Sequence, residues 1–169
     1  MAATNTIPRI YVACLASYNQ GILHGRWIDA DEGVEHIEEQ VALMLADSPE
    51  ANAEEWAIHD HENLGDIGES ESFDRVAEIG EAVSSSDDPA ALLAWLDYHG
   101  GDADLADFEN DYYGQFESEE HFAQEFYEDG FELGVLDSYI DWAAVGRDLC
   151  INDFHSIDVP GGVLIFRSN

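Results

Sequence analysis

The feature that most constrains this chain is its charge: 38 Asp and Glu stand against five arginines and no lysine in 169 residues, a formal net charge of −33. Charge of one sign opposes compaction by self-repulsion. A fold therefore has to spread its carboxylates over the surface and gather its apolar residues apart from them. The apolar residues are present: 46% of the chain is hydrophobic, with 8 Phe, 7 Tyr and 4 Trp, which is core-forming composition and not that of a disordered acidic tail. The length fits one domain or two to three very small ones. Five arginines assemble no basic patch, so direct nucleic-acid binding is excluded as a function class. An anionic membrane would repel the chain, and no run approaches the roughly 20 apolar residues of a membrane span. Cys14 and Cys150 form no disulfide framework and have no metal-ligand spacing, which fits a reducing cytoplasmic setting. The N-terminus lacks the basic start and apolar run of a signal peptide.

The acids are unevenly placed. Residues 1–28 contain none and residues 149–169 only Asp153 and Asp158, so 36 of the 38 lie between Asp29 and Asp148. The less charged ends predict strands: Arg9–Ser17, then after an Asn-Gln-Gly turn Ile22–Ile28, and at the far end a hairpin of Phe154–Val159 and Val163–Phe166 around Pro-Gly-Gly. Glu54–Asp60 is a third N-terminal strand. The acidic middle predicts short helices. One has Val34, Ile37, Val41 and Leu45 on a face; one follows a Ser72 cap; one is capped by Asp88 with Pro89 next and stops at Gly100–Gly101; one carries Leu105, Phe108 and Tyr112; one is capped by Ser118 with Gly130 after its end. This order predicts an α+β fold of about three small subdomains: residues 1–62, a helical 63–102, and 103–169.

Between Asp29 and Asp148 there is roughly one acid per 3.3 residues. In a helix that is one charge per about 5 Å of rise. Duplex DNA carries one per about 1.7 Å of axis. Two or three elements side by side approach that density, which would let such a protein compete for a DNA-binding groove. The outward carboxylates expected to form this surface are Glu38, Glu39, Glu69, Glu71, Glu78, Glu81, Asp107, Asp111, Glu119, Glu120, Glu125, Glu128 and Asp129.

Chemical sites are weaker. His59 and His61 would share a strand face, as two metal ligands do, but no third ligand follows by spacing. The stretch from Asp102 resembles a calcium loop and fails as one, with Asp107 in place of the central Gly and Tyr113 in place of the closing Glu. There is no phosphate-binding glycine loop, nucleophile elbow or Cys–His signature, so neither an enzyme nor a cofactor is expected.

Three segments in order, "RIYVACLASYNQGILHGRWID", "EEWAIHDHE" and "SYIDWAAVGRDL", resemble the ArdA antirestriction proteins, in which "IYVANLxxYNxGxLxGxW", "YAIHDYE" and "YIDYxxxGRDL" recur. The likeness runs from about Ile10 to Phe166. Trp56 and Trp142 stand where Tyr is usual, and His61 replaces another Tyr. The resemblance implies an elongated three-subdomain homodimer that mimics DNA, occupies the DNA site of type I restriction–modification enzymes (methyltransferase and specificity subunits) and protects incoming mobile-element DNA. The antirestriction motif of that family, linked to dimer contact, maps to Leu133, Val135, Leu136, Tyr139 and Ile140, although the Pro usual upstream is missing. A dimer would carry a formal −66, equal to about 110 Å of duplex if every charge counted.

Two rival readings share the charge. A halophilically adapted protein is also acidic and lysine-poor, and exclusive arginine also fits a GC-rich genome. A generic acidic adaptor binds basic partners without preferring restriction enzymes. Arg147 remains to be placed. With Asp137 as the cap of a helix and Gly146 just past its end, Arg147 would sit at the negative helix terminus near Asp141 and Asp148. That makes it a structural counterion, with a contact across the dimer as the alternative.

Overall fold

In a computed structural model the chain is an α+β protein, described over residues 7–51, 53–128 and 132–168. It falls into two compact units divided between Leu105 and Ala106.

The first unit is built on a three-stranded antiparallel sheet with the order β2-β1-β3: β1 Arg9–Cys14, β2 Gly25–Asp29 and β3 Trp56–Glu62. The predicted first strand stops early, because Leu15–Asn19 turns into a short helix, α1, whose carbonyls hold the Gln20–Ile22 turn. One face of the sheet buries Ile10, Val12, Ile28 and Ile58. Against it packs α2 (Val34–Ala46) through Ile37, Val41 and Met44, a face rotated slightly from the one predicted, with Val34 and Leu45 only half-buried. The β1–β3 register skips His59, so a bulge interrupts simple alternation there. α3 (Phe73–Ser85) begins as predicted: the Ser72 hydroxyl accepts from the Arg75 amide. α3 packs on α2, and its Gly80 lies where a β-carbon would come within 2.6 Å of the Ala30 carbonyl. α4 (Pro89–His99) has the expected Asp88 cap and ends at Gly100, and it buries Leu92, Trp95 and Leu96.

The second unit opens with α5 (Leu105–Asp111), whose first residue belongs to the unit before. The helix was expected to continue through Tyr112. Instead β4 (Tyr112–Phe116) starts there, in keeping with the strand preference of two adjacent tyrosines, and pairs with the C-terminal hairpin. That hairpin is β5 (Phe154–Val159) and β6 (Gly162–Arg167), and β6 is the central strand of the order β4-β6-β5. α6 (Glu119–Glu128) follows a Ser118 cap. Its Gly130 stop lies outside the described residues.

The segment predicted as one helix from Asp137 is two elements. A 3-10 helix spans Gly134–Tyr139, and α7 runs Trp142–Asn152 from an Asp141 cap whose carboxylate accepts from the Ala144 amide. Asp137 instead accepts from the Trp142 indole at 2.9 Å. α6 and α7 pack together on the sheet over a core of Phe122, Trp142, Leu149, Phe154 and Ile165. Phe122 is its centre, with the rings of Tyr113, Phe116, Phe126 and Phe154 at 5.0–5.6 Å.

Candidate functional site

The helices that bury their apolar rows leave carboxylates on the opposite rows. On α2 Glu38 and Glu39 are exposed, and Glu35, Glu39, Leu43 and Asp47 follow one another at four-residue spacing, all exposed. On α3 Glu78 and Glu81 are exposed. Glu69 is exposed in the loop before α3, while Glu71 is half-buried and accepts from the Ser72 amide. In the second unit Asp107, Glu120, Glu125 and Glu128 are exposed. Glu125 pairs with His121 at 3.3 Å along α6.

Three expected members stand apart. Asp111 is only 3% exposed: it falls three residues after Phe108 on the buried row of α5, which removes it from any surface. Glu119 is half-buried and accepts a hydrogen bond from Ser156 at 2.5 Å. Burial, aided by the Glu119 charge, pushes the neighbouring Cys150 thiol up to about 11. Asp129 lies outside the described residues.

The arginines divide by unit. All three in the first unit hold carboxylates: Arg9 with Glu62 at 2.8 Å, Arg26 with Asp47 at 3.8 Å, and Arg75 with Glu78 at 2.7 Å. Arg75 also donates to the Gly101 carbonyl at 2.7 Å and the Ala103 carbonyl at 2.5 Å, which pins the chain after α4 to α3. The Arg75–Glu78 spacing was readable from sequence. The two carbonyls were not, because their contact depends on how α4 folds back.

Arg147 corrects the expectation. It sits inside α7, not beyond its end, and is exposed. Among the described residues no carboxylate lies within ion-pair distance of it, though it lines a groove of about 590 Å³ with Glu117, Glu120 and Asp158. Gly146 is not a helix stop. It is the point where α7 touches the α6 backbone at Glu119.

The five proposed dimer-contact residues also divide. Val135, Leu136 and Tyr139 project from the 3-10 helix with 82%, 62% and 84% of their surface exposed. Leu133 and Ile140 turn inward and, with Tyr127, Trp142 and Val145, line an apolar cavity of about 230 Å³.

Among the described residues no group of three His, Cys, Asp or Glu is arranged to hold a metal ion, and no helix is long and apolar enough to cross a membrane. The family model for the antirestriction protein ArdA matches residues 10–161.

The chain belongs to the ArdA antirestriction family.

No curated protein matches the sequence. The matched span takes in the first sheet from Ile10 onward, strands β4 and β5 of the second, and all the exposed carboxylates named above, while β6 lies beyond it. Membership supports an antirestriction function acting on restriction enzymes, and ArdA is an inhibitor-type family. Among the described residues, the carboxylate rows and the apolar 3-10 segment are two surfaces that an antirestriction function has to use or tolerate.

Proposed function

We propose that this chain is a non-catalytic DNA mimic that, as a cytoplasmic homodimer, occupies the DNA-binding site of type I restriction–modification enzymes and so protects incoming mobile-element DNA. The observation that carries the reading is the sorting of charge. Exposed carboxylates line α2, α3 and α6, while Arg9, Arg26 and Arg75 are already paired to carboxylates within the fold. Successive acids on one helix row, such as Glu35 and Glu39 or Glu125 and Glu128, are separated by about 4.5–6 Å of rise. Phosphates along one DNA strand are separated by about 3.4 Å. Neighbouring rows close the difference in density.

Lysines and arginines of the enzyme that displace counterions from DNA would meet carboxylates instead. Binding then weakens as salt rises. Val135, Leu136 and Tyr139 are the surface on which a second copy docks. The deciding experiment is phage plating on restricting hosts with and without this protein expressed. Efficiency of plating rises if the reading holds; restriction that persists unchanged against several type I systems sinks it. In vitro, the purified protein displaces DNA from a type I methyltransferase at physiological salt.

A further inference from the structure

Each three-stranded sheet has two outer strands, and the chain treats the four of them differently. An outer strand presents a row of unpaired N–H and C=O groups, which a bulge, a charge or a covering segment blunts. β3 is interrupted by the bulge at His59, and its Ile58 amide donates to the Glu69 carbonyl. β4 is interrupted between Tyr112 and Gly114. β2 is straight but has only five residues, ends at Asp29 and leads into Asp31 and Glu32. β5 is straight over six residues, pairs without a break from Phe154 to Val159, and holds one acid, Asp158.

The register decides which groups of β5 are free. At one end the ladder is closed by the Ser168 amide, which donates to the Asp153 carbonyl at 2.9 Å. Hydrogen-bonded positions alternate along an antiparallel pair. His155, Ile157 and Val159 therefore turn their amides and carbonyls to β6, while Phe154, Ser156 and Asp158 turn theirs away from it. Among the described residues no group takes the backbone amides or carbonyls of those three.

We infer that β5 is a pairing edge for β5 of a second copy, so that two second units share one six-stranded sheet of order β4-β6-β5-β5-β6-β4. The charge pattern favours this occupant. A basic strand of another protein would be selected by acids, and β5 has one. Antiparallel pairing centred on Ser156 sets Ser156 opposite Ser156 of the second copy, Asp158 opposite Phe154 and His155 opposite Ile157. No two carboxylates then oppose each other across the strands. Residues 149–169 hold two acids in all, so repulsion between copies is weaker here than over the acidic middle. Glu119 reaches this strand, but it is half-buried and accepts the Ser156 hydroxyl at 2.5 Å. The contact is separate from the 3-10 surface and does not depend on DNA mimicry. A chain that makes both contacts joins dimers to one another.

Residue-resolved amide exchange, read by NMR, tests the pairing. It is measured on the full-length chain and on Val135→Asp with Tyr139→Ser, at about 50 µM and about 500 µM in about 400 mM salt, which screens repulsion between copies. In both proteins Phe154, Ser156 and Asp158 are expected to exchange about threefold or more slowly at the higher concentration. His155, Ile157 and Val159, already paired to β6, do not change. Sedimentation at the higher concentration gives a mass above the dimer for wild type and above the monomer for the variant. Asp158→Pro removes one outward amide from each copy and leaves the ladder to β6 intact, so it weakens this association about tenfold. Asp158→Asn removes the charge, keeps the amide and does not weaken it. Circular dichroism checks that both keep the fold. Exchange at the three outward amides that ignores concentration overturns the pairing, as does slowing of all six alike. Equal association of Asp158→Pro and wild type overturns it as well.

Discussion

Gly146 of α7 faces the backbone of Glu119 in α6, and a β-carbon there would lie within 2.6 Å of the Glu119 carbonyl carbon. The two helices cross so closely because this position has no side chain. Two effects oppose each other in Gly146→Ala. Helix propensity favours alanine by about 0.8–1.0 kcal/mol. The clash, against backbone that no rotamer change relieves, costs about 1–3 kcal/mol. The clash wins, so the variant has a lower urea midpoint at unchanged m-value. Arg147→Ala, one residue on and exposed, stays within about 0.5 kcal/mol of wild type. A stable Gly146→Ala would mean that α6 and α7 are not packed at this crossing.

Arg75 and Arg9 each hold a glutamate, but they differ in what else they hold. The Arg75 side chain is 15% exposed and bonds two backbone carbonyls besides Glu78, whereas Arg9 is 40% exposed and bonds Glu62 alone among carboxylates. Hydrogen bonds to charged groups contribute about 1.5–3 kcal/mol each, and an exposed ion pair about 0–1. Arg75→Met is therefore expected to cost at least about 3 kcal/mol in total and Arg9→Met less than about 1. Chemical denaturation of both variants checks the order, and equal losses contradict it.

What was legible in the sequence followed from local chemistry. The caps at Ser72, Asp88 and Ser118, the third strand at Trp56 and the closing hairpin stand where their residues place them. The misreadings concern positions that a distant element decides. Tyr112 leaves α5 for β4 because β6 is there to pair with it, though β6 lies some 50 residues further on. Gly146 reads as a helix stop when only its neighbours are seen, and as a helix crossing once α6 is in place. Asp111 reads as one more surface acid until Phe108 fixes which side of α5 faces inward. The carboxylate surface was legible in kind because most acids between Asp29 and Asp148 have nowhere to go but outward. Which of them turn in, as Glu119 does toward Ser156, was set by tertiary contact.

Asp97 gives the fold a small pH dependence. Burial, with the nearby Asp66 charge, raises its carboxyl above the usual value, and His61 works against the shift. A raised acid pKa means the folded state binds the proton more tightly than the unfolded one. Stability from this group therefore falls as pH rises from the unfolded value, about 3.9, through the folded one, and stays lower at neutral pH. Asp97→Asn removes that loss. The variant melts above wild type at pH 7, and the gap closes as pH falls through the carboxylate range. A gap independent of pH would assign the effect to packing instead.

Charge spread over many exposed acids predicts that no single one dominates. Glu38→Gln or Glu128→Gln alone is expected to change DNA displacement by less than about twofold, within the range of an exposed pair. Five together (Glu38, Glu39, Glu120, Glu125 and Glu128) reduce the slope of log Kd against log salt, because fewer enzyme cations are neutralised. The same titration separates mimicry from halophilic adaptation. A mimic is folded by circular dichroism in ordinary buffer and loses its partner in high salt, while a halophilic protein needs molar salt to fold.

Self-association should respond to salt with the opposite sign. Each chain carries −33, so two copies repel over any separation within a Debye length, about 10 Å at 0.1 M. A contact able to hold two copies against that repulsion would be apolar, and Val135, Leu136 and Tyr139 offer one within a six-residue 3-10 helix. Added salt screens the repulsion and leaves the apolar contact intact. Dimerisation is therefore expected to tighten between 50 and 400 mM salt, over the range in which enzyme binding weakens. Val135→Asp with Tyr139→Ser places a new charge in the contact and removes a ring from it, both at exposed positions that leave the monomer folded. Sedimentation at micromolar concentration should give the mass of a dimer for wild type and of a monomer for the variant. A variant that still dimerises as wild type does would move the interface away from residues 133–140.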